Sequence, residues 1–122
     1  MSFDHKGLDI SIPAAADLSA KQYRFVTIDS SGNAAVSTRG AKSAGVLQDA
    51  PAAASRAASI RVSGITKVVL GGSVTAGNNA VADANGAAVT ASSADNADMG
   101  TFLQSGASGE IVAMLLQPRG LS

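Results

Sequence analysis

Apolar and polar residues alternate along this chain in short runs, each cut off by turn-forming residues, which is the pattern of a many-stranded β protein. The clearest run is Gln22-Tyr23-Arg24-Phe25-Val26-Thr27-Ile28, rich in β-branched and aromatic side chains. It stops at Asp29-Ser30-Ser31-Gly32, where Asp in first and Gly in fourth place suit a type I turn, and Ala34-Ala35-Val36-Ser37 returns. Gly45-Val46-Leu47-Gln48 is the next short strand. The alanine-rich stretch from Asp49 to Ser59 has helical propensity after Pro51 but no apolar stripe to dock a helix, so a loop is the preferred reading of Ala50 to Ala58. Ser59 to Leu70 reads as two strand segments bent or bulged at Gly64, with Ile60 and Val62 on one face. A turn around Gly77-Asn78-Asn79, a second Asp-x-x-Gly turn at Asp83-Ala84-Asn85-Gly86, and Ala87-Ala88-Val89 follow, and loop residues fill Ala91 to Asp98. Gly100 to Gln104 and Glu110 to Leu116 are the last strands. The final one is apolar on both faces, which predicts a central, doubly covered strand with Ile111, Val112, Met114 and Leu115 buried.

The first seventeen residues differ from the rest. They hold the strand-like Leu8-Asp9-Ile10-Ser11-Ile12 and then Pro13-Ala14-Ala15-Ala16, with few large apolar groups. Residues 1–17 are therefore expected to form an extended N-terminal arm, mobile until it meets a neighbour, and residues 18–122 a single β domain. Leu8, Asp9, Ile10, Ser11 and Ile12 are the candidate contact residues, acting by strand addition to a partner's sheet edge.

The two halves of the domain resemble each other. Asp29 to Gly32 matches Asp83 to Gly86, Val46-Leu47-Gln48 matches Phe102-Leu103-Gln104, and Ile60-Arg61-Val62 falls opposite Val112-Ala113-Met114, at offsets of fifty-four, fifty-six and fifty-two. Either way the fold class is all-β, a small β-sandwich or barrel of short strands.

Composition sharpens this picture. Hydrophobic residues make up 46% of the 122, but twenty-five residues are alanine, and each buries little area. A core so built is marginal, and burial against copies of the chain or a larger partner would strengthen it. Formal net charge is zero and the basic residues stand singly, which disfavours nucleic acid as a partner. No apolar stretch is long enough for a membrane helix, and Met1-Ser2-Phe3-Asp4-His5-Lys6 lacks the order of a signal peptide, so synthesis in a cytoplasm is expected. The absence of cysteine removes disulfides, thiolate metal sites and cysteine nucleophiles.

Candidate chemistry is sparse. The one histidine, His5, lies in the arm, and no Gly-x-Ser-x-Gly elbow occurs; Gly106-Ala107-Ser108-Gly109 reads as a tight turn. Gly72-Ser73-Val74-Thr75-Ala76-Gly77 has phosphate-loop glycine spacing, but Asn78-Asn79 stands where Lys and Ser/Thr must contact phosphate and magnesium. Asp95, Asn96 and Asp98 offer oxygen ligands without an EF-hand pattern. A non-enzymatic role without cofactor or metal is expected.

The order Asp17 to Val26, Gly45-Val46-Leu47-Gln48-Asp49-Ala50-Pro51, Val62-Ser63-Gly64-Ile65-Thr66-Lys67-Val68, Ala76-Gly77 and Asp83-Ala84-Asn85-Gly86 resembles the phage capsid cement-like (decoration) proteins. The segments Gly45 to Gln48 and Val62 to Ile65 carry most of the likeness, which runs from about Asp17 to Leu116; Asn78-Asn79 departs from it where similar sequences tend to have an acidic residue. The resemblance implies a homotrimer on the outer surface of a tailed-phage virion, locking neighbouring major capsid proteins together. It brings no catalytic residues. The alternatives are a fibre-attached or carbohydrate-binding β module of a virion and, from another class, a small trimeric enzyme acting on a nucleotide or sugar.

Overall fold

The computed structural model describes residues 8–38, 43–50, 53–91 and 99–116. They form nine strands: β1 (Leu8–Pro13), β2 (Phe25–Ile28), β3 (Ala34–Val36), β4 (Gly45–Leu47), β5 (Ala57–Val69), β6 (Asn79–Ala82), β7 (Ala88–Thr90), β8 (Gly100–Phe102) and β9 (Ile111–Leu116). No helix occurs among the described residues, so the fold is all-β as expected. Within the alanine-rich stretch, residues 53–56 form a turn and β5 begins at Ala57; residues 51 and 52 fall outside the described set, as do the potential oxygen ligands Asp95, Asn96 and Asp98.

The order of strands is β3-β2-β4-β5-β9-β8-β6-β7, all neighbours antiparallel, with β1 laid against β5. This order reads the same from both ends. In the first half β2 pairs with β3 and β4, and β4 with β5; in the second β6 pairs with β7 and β8, and β8 with β9. A parallel bridge from Ala14 to Ala34 brings the end of β1 to β3, and one from Leu70 to Ala88 brings the end of β5 to β7. Each half thereby closes on itself, and the described residues form two small five-stranded barrels sharing β5.

The shared strand explains why β5 is long. Residues 57–63 pair with β1 and β4 and complete the first barrel; residues 64–69 pair with β9 and open the second. Gly64, at φ +97°, sits at the joint, where a left-handed residue lets one continuous strand serve two curled sheets. By the same correspondence β1 is the counterpart of residues 64–69: Pro13 faces Ala57 as Val69 faces Ile111. Leu8–Pro13, the strand-forming part of the expected arm, is thus one of the first barrel's five strands.

The duplication holds in detail at offsets of fifty-four to fifty-six. Asp29 Oδ1 accepts from the N–H groups of Ser31 and Asn33, and Asp83 Oδ1 from those of Asn85 and Ala87. Leu47 N–H donates to Arg24 O as Phe102 N–H does to Asn78 O, both at 3.0 Å. These bonds correct the register inferred from sequence. Leu47 corresponds to Phe102, one place from the expected alignment, and Ile60 to Met114, two places from it. A slip of two leaves the in-out alternation of a strand unchanged, so apolar pattern alone could not detect it.

Each barrel has its own core. Ala14, Leu18, Val26, Ala34, Leu47, Ala58 and Ile60 fill the first, sealed by Ile10, Ile12, Val36 and Val62. Val68, Leu70, Val74, Ala80, Ala82, Ala88, Met99, Phe102, Val112, Met114 and Leu116 fill the second. Phe25 and Val46, from outward positions of the first barrel, belong to the second cluster and are fully buried. They join the two barrels, together with Phe25 N–H donating to Gly86 O at 2.7 Å and Arg24 Nη1 to Asn85 O at 3.1 Å.

That joint distinguishes two otherwise equivalent glycines. Gly32 and Gly86 have φ of +80° and +79°, but Gly32 is open to solvent while a Cβ on Gly86 would lie 2.7 Å from Val36 Cγ1 and 2.9 Å from Phe25 O. Gly32→Ala should cost only the left-handed penalty of roughly 1–2 kcal/mol. Gly86→Ala should cost more, because it also pushes the barrels apart, and urea melts of the two variants measure the difference.

Candidate interaction surface

Among the described residues no three His, Cys, Asp or Glu side chains come together. The Gly72–Gly77 segment is a bend and turn leading into β6, with Asn78 N–H bonded to Thr75 O. No described helix is long and apolar enough to cross a membrane. What the molecule presents is surface, and its distribution is uneven.

β1 places the five candidate contact residues against β5: Leu8 faces Ser63, Asp9 Arg61, Ile10 Ile60, Ser11 Ser59 and Ile12 Ala58. Ile10 and Ile12 turn into the first core. Asp9 receives two hydrogen bonds from Arg61, at 2.8 and 3.2 Å, while Arg61 Nη1 reaches Ile65 O at 3.0 Å. The bonds to Asp9 hold the Arg61 guanidinium above its ordinary pKa. Leu8 is 60% exposed, and along Leu8–Pro13 the other edge of β1 has no paired strand among the described residues.

The second barrel's outward face is different in kind. On β9, Val112, Met114 and Leu116 point inward and are buried, so Ile111, Ala113 and Leu115 point out. Ile111 is 52% exposed and Leu115 partly exposed, which corrects the expectation that both are buried. β9 is central in the sheet, with β5 and β8 on its flanks, but among the described residues its own domain covers it on one side only. Ile65 on β5 and Leu103 after β8 extend the apolar face. Ile65, Leu103, Ile111, Ala113 and Leu115 stand where the first barrel has Asp9, Gln48, Ala57, Ser59 and Arg61.

Along this face runs a groove of about 320 Å³ lined by Tyr23, Gln48, Arg61, Ile65, Thr66, Lys67 and Ala113. It adjoins a hollow of about 270 Å³ that adds Gln104, Ile111 and Val112. Tyr23 has φ +65° at the position where the second barrel has Gly77 at φ +93°. A tyrosine there costs roughly 1–2 kcal/mol over glycine. Its backbone is held by Leu47 O and Val69 N–H, and its side chain forms one wall of the groove. The signal for this surface lies in the sequence as the two apolar faces of β9, a pattern that by itself does not distinguish an outward apolar face from a strand covered on both sides by its own domain.

No family model matches the sequence, and no curated protein matches it. Among solved structures the fold is similar to that of the head fiber gp8.5 N base in bacteriophage phi29, with a TM-score of 0.76 at 13% sequence identity. The match covers 94% of this chain and 98% of that one, so both barrels and the shared strand lie within it.

Proposed function

We propose that this chain is a structural protein of a tailed-phage virion that binds the outside of the head and stabilises the shell by bridging major capsid protein subunits as a homotrimer. The observation that carries the reading is a fold shared with a phage head protein over nearly the whole of both chains. Two features support it: a formal net charge of zero and a marginal alanine-rich core that gains from assembly. With no net charge, the contacts are mainly apolar and backbone-mediated and should hold with little dependence on salt. Three equivalent contacts per trimer release slowly even when each is modest. β1 is the proposed capsid contact, through exposed Leu8 and its open edge.

A second reading, a base that fixes a fibre to the head, is favoured by what the similar structure is called. Heat resistance of heads separates the two. Bare heads given the purified protein should withstand a higher temperature before releasing DNA if it is cement, and Leu8→Lys should restore less of that resistance. Removing residues 1–12 is a poorer probe, because it strips Ile10 and Ile12 from the first core. Binding without any gain in heat resistance selects the fibre base, and no binding at all defeats both.

A further inference from the structure

A duplicated fold that stacks its units carries a liability. What joins the first barrel to the second is a heterologous contact, one surface against a different one, and such a contact repeats without limit unless the ends of the molecule refuse it. The joint is a template against which both ends can be compared. From the first barrel, Phe25 and Val46, paired across β2 and β4, enter the core cluster of the second and are fully buried. Tyr23 O accepts from Val69 N–H at 2.9 Å, and Gly86 O from Phe25 N–H at 2.7 Å. On the receiving barrel Ala82, a small residue, lies in the same cluster and is itself fully buried.

At the two outer ends the matched residues differ at each of these points. Asn79 pairs with Thr101 on the second barrel as Phe25 pairs with Val46 on the first. Both are polar and half-buried, and Thr101 Oγ1 donates to Asn79 Oδ1 at 3.5 Å. Entering another barrel would strip them of water against apolar side chains, where Phe25 and Val46 gain from the same step. On the first barrel Pro13 holds the place of Val69, and proline has no N–H to give a neighbour's carbonyl. Ile28 holds the place of Ala82 and is 46% exposed, a larger side chain at the mouth that must admit a neighbour, and one whose apolar surface would meet Asn79 and Thr101. Nothing in the fold of a barrel asks for these choices, since the same positions carry Phe25, Val46, Val69 and Ala82 elsewhere in the chain. We infer that the joint is used once: both ends are terminated against a further barrel, so copies of this chain do not stack end to end into a filament. Stacked repeats in general need such ends to stay soluble. Termination of this kind suits cement and fibre base alike and depends on neither.

Restoring the residues of the joint at each end is the test. Asn79→Phe with Thr101→Val rebuilds the entering surface, and Pro13→Val with Ile28→Ala rebuilds the receiving one. Each double variant alone should sediment as the wild type does, while a mixture of the two should gain one-to-one complexes, because each supplies one half of a joint. An unchanged mixture of two variants that are folded by circular dichroism and urea midpoint overturns the inference. The absence of cysteine lets the unaltered ends be probed as well, whatever the folding of those variants. Arg24 Nη1 lies 3.1 Å from Asn85 O across the joint, and the matched residues at the two outer ends are Asn78 and Ser31, both exposed. With a short bismaleimide at micromolar protein, the pair Arg24→Cys, Asn85→Cys should link within one chain, while the pair Asn78→Cys, Ser31→Cys should give no links between chains. An open ladder of linked chains from the second pair overturns the inference.

Discussion

Phe102→Ala is expected to lower the urea midpoint of the isolated chain drastically, at a cost of roughly 3–5 kcal/mol. Phe102 is 1% exposed and among the largest side chains of the second core, where Met99, Met114 and Leu116 are likewise buried. Its neighbours cannot close over the gap. The strands around it are fixed by the Phe102–Met114 pairing and the bond from Phe102 N–H to Asn78 O, and Ala80, Ala82 and Ala88 have no reach to offer. A domain of this size has roughly 5–15 kcal/mol in all, so the loss is a large fraction of it. Leu115→Ala is the control. Leu115 is on the neighbouring strand and just as apolar, but it points outward, and at concentrations that keep copies apart it should cost no more than about 1 kcal/mol. Matching losses at the two sites would mean that β9 is covered on both sides within one chain.

Gly45→Ala and Gly100→Ala are the second pair, and each should cost at least the roughly 1–3 kcal/mol typical of overpacking. A Cβ on Gly45 would sit against the carbonyl oxygen and carbon of Arg61, and one on Gly100 against the carbonyl oxygen of Leu115, well inside van der Waals contact. The opposing atoms are backbone, held in the β4–β5 and β8–β9 ladders, so neither can swing aside. Accommodation requires a pair of strands to part. Both variants should therefore lose more stability than Gly32→Ala, whose Cβ would meet open space. Amide exchange locates the damage: Gly45→Ala should deprotect β4 and residues 57–63 first, and Gly100→Ala β8 and β9. A neutral substitution at either site would show that these strands do not approach as closely as described.

These two glycines also show what could be read without a structure. The alternation of apolar residues, the two Asp-x-x-Gly turns and the bend at Gly64 are local matters, settled by the pleat of a strand and the conformational freedom of glycine, and they placed the strands in the chain. The duplication was legible for the same reason, since Asp29 and Asp83 each fold a turn from their own near neighbours. Its register was not, because a strand slipped by two residues keeps its inside inside; cross-strand contact at Gly45 and Gly100 fixes it. Nor does sequence say which partner a strand takes. The strand-forming residues Leu8 to Ile12 were visible as such, but that their neighbour is β5 of the same chain depends on residues fifty positions away arriving alongside. The apolar outward face of β9 was likewise visible as a pattern. Whether such a face is covered depends on how many layers the tertiary structure lays over it, and here the described residues supply one.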